Sequence, residues 1–267
     1  MSGMQWERVT SRELYEMIRE EVCIIPIGSL EKHGEHLPLG NDALIAHKVA
    51  LMAAEEEPAV VLPPIYFTYT KEMKNLTGAI SLETDVLLSF LENLCDEVAR
   101  NGFRKIILLN FHGGNSNILR VFLQHVVDKG KEYAVYLPPI FLAPEVVREV
   151  KETPETGHAG EIETSISLYL FPELCKMDKV PKEFSSSKRD YDVSPASTSI
   201  DWYAAYPNAY VGDAKPASAE KGKRIVEAHV EKLIDLIRRI KADEKVLERL
   251  KEFNNQLSRP EPQAKDR

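Results

Sequence analysis

Five side chains able to do chemistry, Glu31, His33, Glu35, His36 and Asp42, stand within twelve residues in the stretch IIPIGSLEKHGEHLPLGND (24–42), directly after an apolar run. No hydrophobic core calls for such a cluster. Imidazoles mixed with carboxylates at this density suit Zn²⁺, Mn²⁺ or Fe²⁺, and the lack of thiolates argues against a purely structural zinc site. Glu31 and His33 are two apart, so at an extended strand end both point the same way and can reach one centre. Asp42 falls where the next helix begins. It either caps that helix or reaches back to the same centre, where one carboxylate can bridge two ions. His36 is a further ligand or orients one.

Two more groups lie downstream. His112 ends an apolar strand beside Gly113 and Gly114, which let the backbone come close to a ligand. Backbone N–H groups there, with Gly113, Gly114 and Asn115, could face a substrate or an oxyanion, although Asn115 can equally cap the following helix. The third group is His158, Glu161 and Glu163. Two residues apart on a helix, Glu161 and Glu163 diverge by roughly 200°, so one can ligate while the other caps or supports a ligand. Glu161 is placed with the metal ligands, and Glu163 with His158 among the catalytic candidates. Glu31, His33, Asp42, His112 and Glu161 exceed what one catalytic ion needs, which favours two ions sharing a carboxylate, activating water and polarising a carbonyl. His47, His125 and His229 sit on expected helices without partners and read as structural or solvent-facing.

The elements that must position these groups form a repeating pattern. Val22–Ile27, Ala59–Leu62, Lys105–Asn110 and Tyr133–Leu137 are apolar runs of strand length alternating with amphipathic stretches. That alternation predicts an α/β sandwich with a mainly parallel sheet, its strands buried on both faces. Helices are expected from Thr10 or Ser11 through SRELYEMIREE, after Asp42, over 83–100, 116–128, 145–152 and 161–171, from 218 to about 240, and over 243–255. In such sheets sites lie at the carboxyl ends of strands, where loops 28–41 and 111–115 both fall. Residues 65–82 read as irregular with one strand at the start. Residues 178–217, rich in Pro, Ser, Asp and Tyr, form a long loop of the functional or assembly type. One domain is expected over 1–255, with a flexible tail over 256–267.

Composition narrows the function classes. The chain has 267 residues, 43% hydrophobic and 28% charged, with a net charge of −8. No Lys/Arg cluster of useful length marks a nucleic-acid face. Cys23, Cys95 and Cys175 sit among apolar residues with no close spacing and are expected to be free thiols. The N-terminus lacks a signal-type apolar core, and no apolar run approaches the roughly 20 residues of a membrane span. A cytoplasmic protein without membrane contacts, acting on a small molecule, is the expectation.

The segments EKHGEHLPLGND, NFHGGNSN and GHAGEIETS, in that order, resemble the three signature segments of the creatininase (creatinine amidohydrolase) family. The resemblance extends over roughly residues 5–240. It implies a three-layer α/β/α fold, two divalent metal ions per subunit (Zn, Mn or Fe), a homo-oligomer, commonly a hexamer, and hydrolysis of cyclic or formyl amides. Relatives include deformylases of flavin and deazaflavin precursor synthesis, a peptidase of mycofactocin maturation and hydrolases of cyclic inositol diketones. Carried over by residue, it implies Glu31, Asp42 and His112 on one metal, His33 and Asp42 on the other with Asp42 as the bridge, and His158 in proton transfer. There are departures. The family's namesake has a metal-binding glutamate where this chain has Gly114, and a pocket tyrosine where it has Gly113. Trp202 is the one candidate for the pocket tryptophan. Glu161 is the candidate to replace the missing ligand. The middle loop, KEMKNLTGAIS, carries Met73, Leu76, Thr77 and Ala79 at divergent positions, and Glu72 and Lys74 are candidates for substrate contact.

The resulting expectation is a dinuclear metal-dependent amidohydrolase that cleaves a C–N bond of a small cyclic amide or formamide. A hydrolase opening a cyclic diketone ring in inositol breakdown is the alternative, and Gly114 keeps open a non-catalytic metal-binding assembly subunit.

Overall fold

The computed structural model describes residues 4–18, 22–155, 157–182 and 187–257. Its centre is a parallel sheet of five strands: β1 (Met4–Gln5), β2 (Val22–Ile27), β3 (Val60–Val61), β4 (Lys105–Asn110) and β5 (Ala134–Tyr136). The spatial order is β1-β3-β2-β4-β5. β2 and β4 are the longest neighbours, in register from Val22↔Lys105 to Ile27↔Asn110. That register brings the ends of both strands to the same edge, and with them the two loops that carry the chemistry.

Alternation along the central strands explains why helices cover both faces. Val22 and Ile24 of β2 and Ile107 and Leu109 of β4 enter one core. Cys23, Ile25 and Ile27, with Ile106 and Leu108, enter the other. The first core is closed by α2 (Asn41–Glu56), α6 (Glu161–Leu170) and α8 (Ala219–Ala242), and the second by α3 (Thr84–Arg100) and α4 (Asn115–Asp128). Each fully buried Ile or Leu contributes about 1.5–3 kcal/mol relative to exposure. α2 lies against β2, with Ala43, Ala46, Ala50, Ala53 and Ala54 all buried. Small side chains let that helix approach the sheet closely, and its first turn delivers Asp42 to the strand edge.

The remaining helices are α1 (Ser11–Met17), α5 (Pro144–Val150), α7 (Asp201–Ala205) and α9 (Lys245–Leu257). Thr10 caps α1 reciprocally with Glu13 in a capping box. No helix among the described residues is long and apolar enough to cross a membrane. Cys23, Cys95 and Cys175 are all free.

The four expected strands are present, with the outer ones shorter than their apolar runs. Three features differ from expectation. β1 is an edge strand of two residues, too short to show periodicity. The expected strand at the start of 65–82 is reduced to single bridges, Ile27↔Ile65 and Thr68↔Ser81. The 178–217 loop contains α7, which packs against the short 3-10 turn Lys71–Met73. The expected flexible tail lies largely outside the described residues, and residues 256 and 257 belong to α9.

Candidate active site

The loop after β2 folds back on its own start. A Cβ on Gly28 would lie 2.1 Å from the backbone N of Ala43, so only glycine permits this contact. The loop leaves the sheet and the chain returns to within van der Waals distance of its start in the first turn of α2. Glu31, His33 and Asp42 thereby converge, at 1%, 0% and 2% exposure. Asp42 is not the helix cap: Gly40 holds that position, without a side-chain cap.

Three imidazoles face this carboxylate cluster, each fixed by a backbone carbonyl. His33 Nδ1 lies 3.2 Å from the Glu31 carbonyl and its Nε2 2.9 Å from Asp42 Oδ1. His112 Nε2 lies 2.8 Å from the Tyr69 carbonyl, leaving Nδ1 2.9 Å from Glu31 Oε1 and 3.2 Å from Asp42 Oδ2. His158 Nε2 lies 2.7 Å from the Lys32 carbonyl, leaving Nδ1 3.8 Å from Glu31 Oε1 and 3.9 Å from Glu163 Oε2. A carbonyl only accepts, so in each ring that nitrogen carries the hydrogen and the other is turned into the cluster. This is how metal-ligating histidines are commonly held.

Among the described residues, donor atoms closing to within 4.8 Å of one another form three sets: Glu31, Asp42 and His112; His33, Asp42 and Glu163; and Glu31, His33 and His158. Asp42 Oδ2 is buried without a well-aligned hydrogen-bond donor. A divalent cation would fit such an atom, and the oxygen and nitrogen donors suit Zn²⁺, Mn²⁺ or Fe²⁺.

Charges without an ion follow the same geometry. Burial opposes a charge on His33, but Asp42, Glu163 and Glu31 lift its pKa to about 10. Burial likewise works against a charged His112, and Glu31 and Asp42 drive its pKa well up. Burial would raise Asp42 and Glu31, yet the neighbouring imidazoles hold both below the ordinary carboxylate range. Glu163 is raised, because burial outweighs the pull of His158 and His33.

Glu161 and Glu163 do diverge, and only Glu163 faces the cluster. The Glu161 carboxylate is fully buried away from the cluster, where it accepts from Glu152 N, Thr153 N, Thr153 Oγ1 and Lys221 Nζ. Four donors leave it no capacity for a metal, which corrects its expected role as a ligand. Glu163 faces His33 and His158 instead, its Oε2 accepting from Ala159 N at 2.6 Å. Ala159 has φ +53°, a left-handed conformation costing roughly 1 kcal/mol. That bend turns His158 and Glu163 towards the same space.

Asn115 is also corrected. It neither caps α4 nor lines the pocket, because its amide is consumed by Tyr69 N, the Gly28 carbonyl and Asn110 Oδ1. It locks the β2 and β4 loops together. His36 is fully buried outside all three donor sets, with Nε2 3.0 Å from Thr164 Oγ1, and burial pulls it down to about 4. It backs α6 as a neutral ring. Of the remaining histidines, His125 pairs with Glu92, while buried His229 lies against Phe111.

A pocket of about 290 Å³ opens over the cluster. Its lining includes Glu72, Met73, Gly113, Gly114 and Trp202 in addition to cluster residues, so five of the positions singled out in the sequence do reach it. The Trp202 ring stands edge-on to His158 at 5.8 Å. Lys74 pairs with Glu83 and is absent from the lining.

Sequence reasoning missed three supports. Thr70 Oγ1 donates to Glu31 Oε2 at 2.7 Å. The 209–211 segment accepts from Gly34 N and pairs with His158 through Val211. Lys221, sixty residues beyond Glu161, anchors that carboxylate. None carries a local pattern, although a threonine in a divergent loop facing a carboxylate loop was a weak signal.

A parallel sheet flanked by helices, with buried imidazoles and carboxylates gathered at its carboxyl edge, defines an α/β protein with the donor set of a divalent-metal centre. The chain belongs to the creatininase family: the family model for creatinine amidohydrolase matches residues 6–237. Curated relatives include the creatinine amidohydrolase of Pseudomonas putida, 29% identical over 81% of this chain and 88% of the relative. The 3-dehydro-scyllo-inosose hydrolase of Thermotoga maritima is 29% identical over 90% and 84%. The mycofactocin precursor peptide peptidase of Mycolicibacterium smegmatis is 29% identical over 88% and 90%. A crystal structure of creatininase superposes with a TM-score of 0.77 at 26% identity, covering 90% of this chain and 98% of that one. Solved creatininases include manganese and Zn–Zn forms.

Proposed function

We propose that the protein is a dinuclear metal-dependent hydrolase that cleaves a C–N bond of a small cyclic amide or formamide. The observation that carries this reading is the set of three imidazoles, each donating to a carbonyl from one nitrogen and aiming the other at shared carboxylates. Glu31, Asp42 and His112 would hold one ion, and His33, Asp42 and Glu163 the other, with Asp42 common to both. When bound, such ions lower the pKa of water and polarise a carbonyl.

The chain's own residues supply the rest. Thr70 orients Glu31, and the Lys32 carbonyl holds the His158 ring. Phe111, Ile140, Phe141 and Trp202 wall the pocket and exclude bulk water. Hydrolysis adds the oxygen of water to the carbonyl carbon, breaks the C–N bond and places a proton on the nitrogen. His158, with Nδ1 facing Glu163 and the pocket, is the group that passes that proton. His158 and Glu163 thus work as a pair.

The alternative within the family is ring opening of a cyclic diketone, supported by the long alignment with the Thermotoga hydrolase. Elemental analysis followed by assays on small lactams, formamides and polyol diketones separates these readings. Two metals per chain and turnover of a lactam or formamide are expected. Asp42→Ala should lose both metals and all activity, and a fully active Asp42→Ala protein would overturn the shared-ligand assignment.

A further inference from the structure

The structure places one carboxylate in the pocket that neither the metal cluster nor the proton path uses. Glu72 sits on the 3-10 turn Lys71–Met73, whose Met73 side chain is buried as an anchor. α7 packs against that turn, which holds the segment carrying Glu72 in place.

The glycine pair after His112 makes room for it. A Cβ on Gly114 would lie 2.6 Å from Glu72 Oε1 and 2.4 Å from His112 Nε2. Glu72 therefore occupies the space that a side chain at position 114 would take. No Cβ at 113 would meet anything within 4 Å, so the floor beneath the carboxylate is open backbone.

The charge on Glu72 is not taken up by the protein. The lysines on either side are drawn off to Glu83, Lys71 at 2.5 Å and Lys74 at 3.6 Å. Among the described residues, no hydrogen bond or ion pair engages the Glu72 carboxylate. Among the described residues no Lys or Arg lines the pocket, whose titratable groups are Glu31, Asp42, Glu72, Glu163, His112 and His158. Two divalent ions would more than balance Glu31, Asp42 and Glu163, leaving the cluster positive and Glu72, on the far side of the His112 ring from Glu31 and Asp42, negative. A pocket polarised in this way favours a substrate with its carbonyl at one end and a donor at the other.

We propose that Glu72 is the specificity-determining residue of this site: it binds an ammonium or N–H group at the end of the substrate remote from the scissile bond, so the pocket selects basic, non-anionic amides. This rests on the hydrolase reading for the location of the reacting end, but recognition by Glu72 can be measured without turnover.

The test uses three formamides of similar size: N-formylethylenediamine, which carries an ammonium; N-propylformamide, its neutral isostere; and the anion N-formylglycine. Calorimetric titration into the metal-loaded protein should show the ammonium probe binding about tenfold or more tightly than the neutral one, with the anion weakest, as expected for one charge-assisted hydrogen bond. Glu72→Gln and Glu72→Ala should abolish the ammonium preference, leaving metal content and melting temperature as in the wild type. Equal affinity of the ammonium and neutral probes in the wild type would overturn the proposal. So would a Glu72→Gln protein that keeps the preference, or one that loses metal, which would make Glu72 a ligand. Turnover of the same probes is recorded separately. Discrimination without any hydrolysis would count against the hydrolase reading while leaving the role of Glu72 standing.

Discussion

Replacing Glu161 and Glu163 in turn by alanine should give opposite phenotypes. Glu161 is fully buried and accepts from two backbone N–H groups, the Thr153 hydroxyl and the Lys221 ammonium. Removing one partner of a buried ion pair costs about 3–5 kcal/mol. Here Lys221 keeps the Glu152 carboxylate at 2.6 Å and the Pro216 carbonyl at 2.8 Å, and residues 152 and 153 are open enough for water to replace the lost acceptor. The lower end, about 3 kcal/mol, is therefore expected. At roughly 2–4 °C per kcal/mol for a chain of this size, Glu161→Ala should lower the melting temperature by about 6–12 °C in chelator-treated protein. Metal content after reconstitution should stay at the wild-type level. Among the described residues Glu163 has only the Ala159 N–H as a backbone donor, and burial holds its carboxyl at a raised pKa. Glu163→Ala should change metal-free stability by less than about 1 kcal/mol but lose at least one metal. Calorimetric melting with elemental analysis reads both effects. A Glu161→Ala protein that melts like the wild type but has lost a metal would refute the assignment.

Two further outcomes follow from the same geometry. Without an ion, His33 has a pKa of about 10 and His112 is also raised, so both carry protons at pH 7.5. Metal binding must displace them, so affinity should rise with pH and fall on acidification from pH 8 to 6. Calorimetry in buffers of different ionisation enthalpy should detect about two protons released, and none released would contradict the site. Thr70→Val removes the hydroxyl that fixes Glu31 and should weaken metal binding about 10–100-fold with little change in melting temperature, measured by chelator competition.

The parts of this molecule readable in its sequence are those with local causes. Val22–Ile27 and Lys105–Asn110 are apolar at every position because helices cover both faces, and the loops after them had to share an edge. The divergence of Glu161 and Glu163 was equally legible, since helical geometry fixes the angle between them. Which one faces the cluster was not, because that depends on Lys221 and on the left-handed turn at Ala159. Asn115 looked like a cap because side-chain type and position fitted one. Its true partners, Gly28 and Tyr69, come from loops brought together only by the sheet. The pairing of Gly114 with Glu72 was hidden for the same reason: forty-two positions separate a residue that lacks a side chain from the one that uses its space.

The self-closing loop between Gly28 and Ala43 bears on how the proposed metal site would be loaded. Its three donors are tied to one another before any ion arrives, and Asn115 ties them to the strand that carries His112. The donors of the proposed metal site are therefore held by the protein's own contacts, so stripping the metal should leave the sheet and its helices folded.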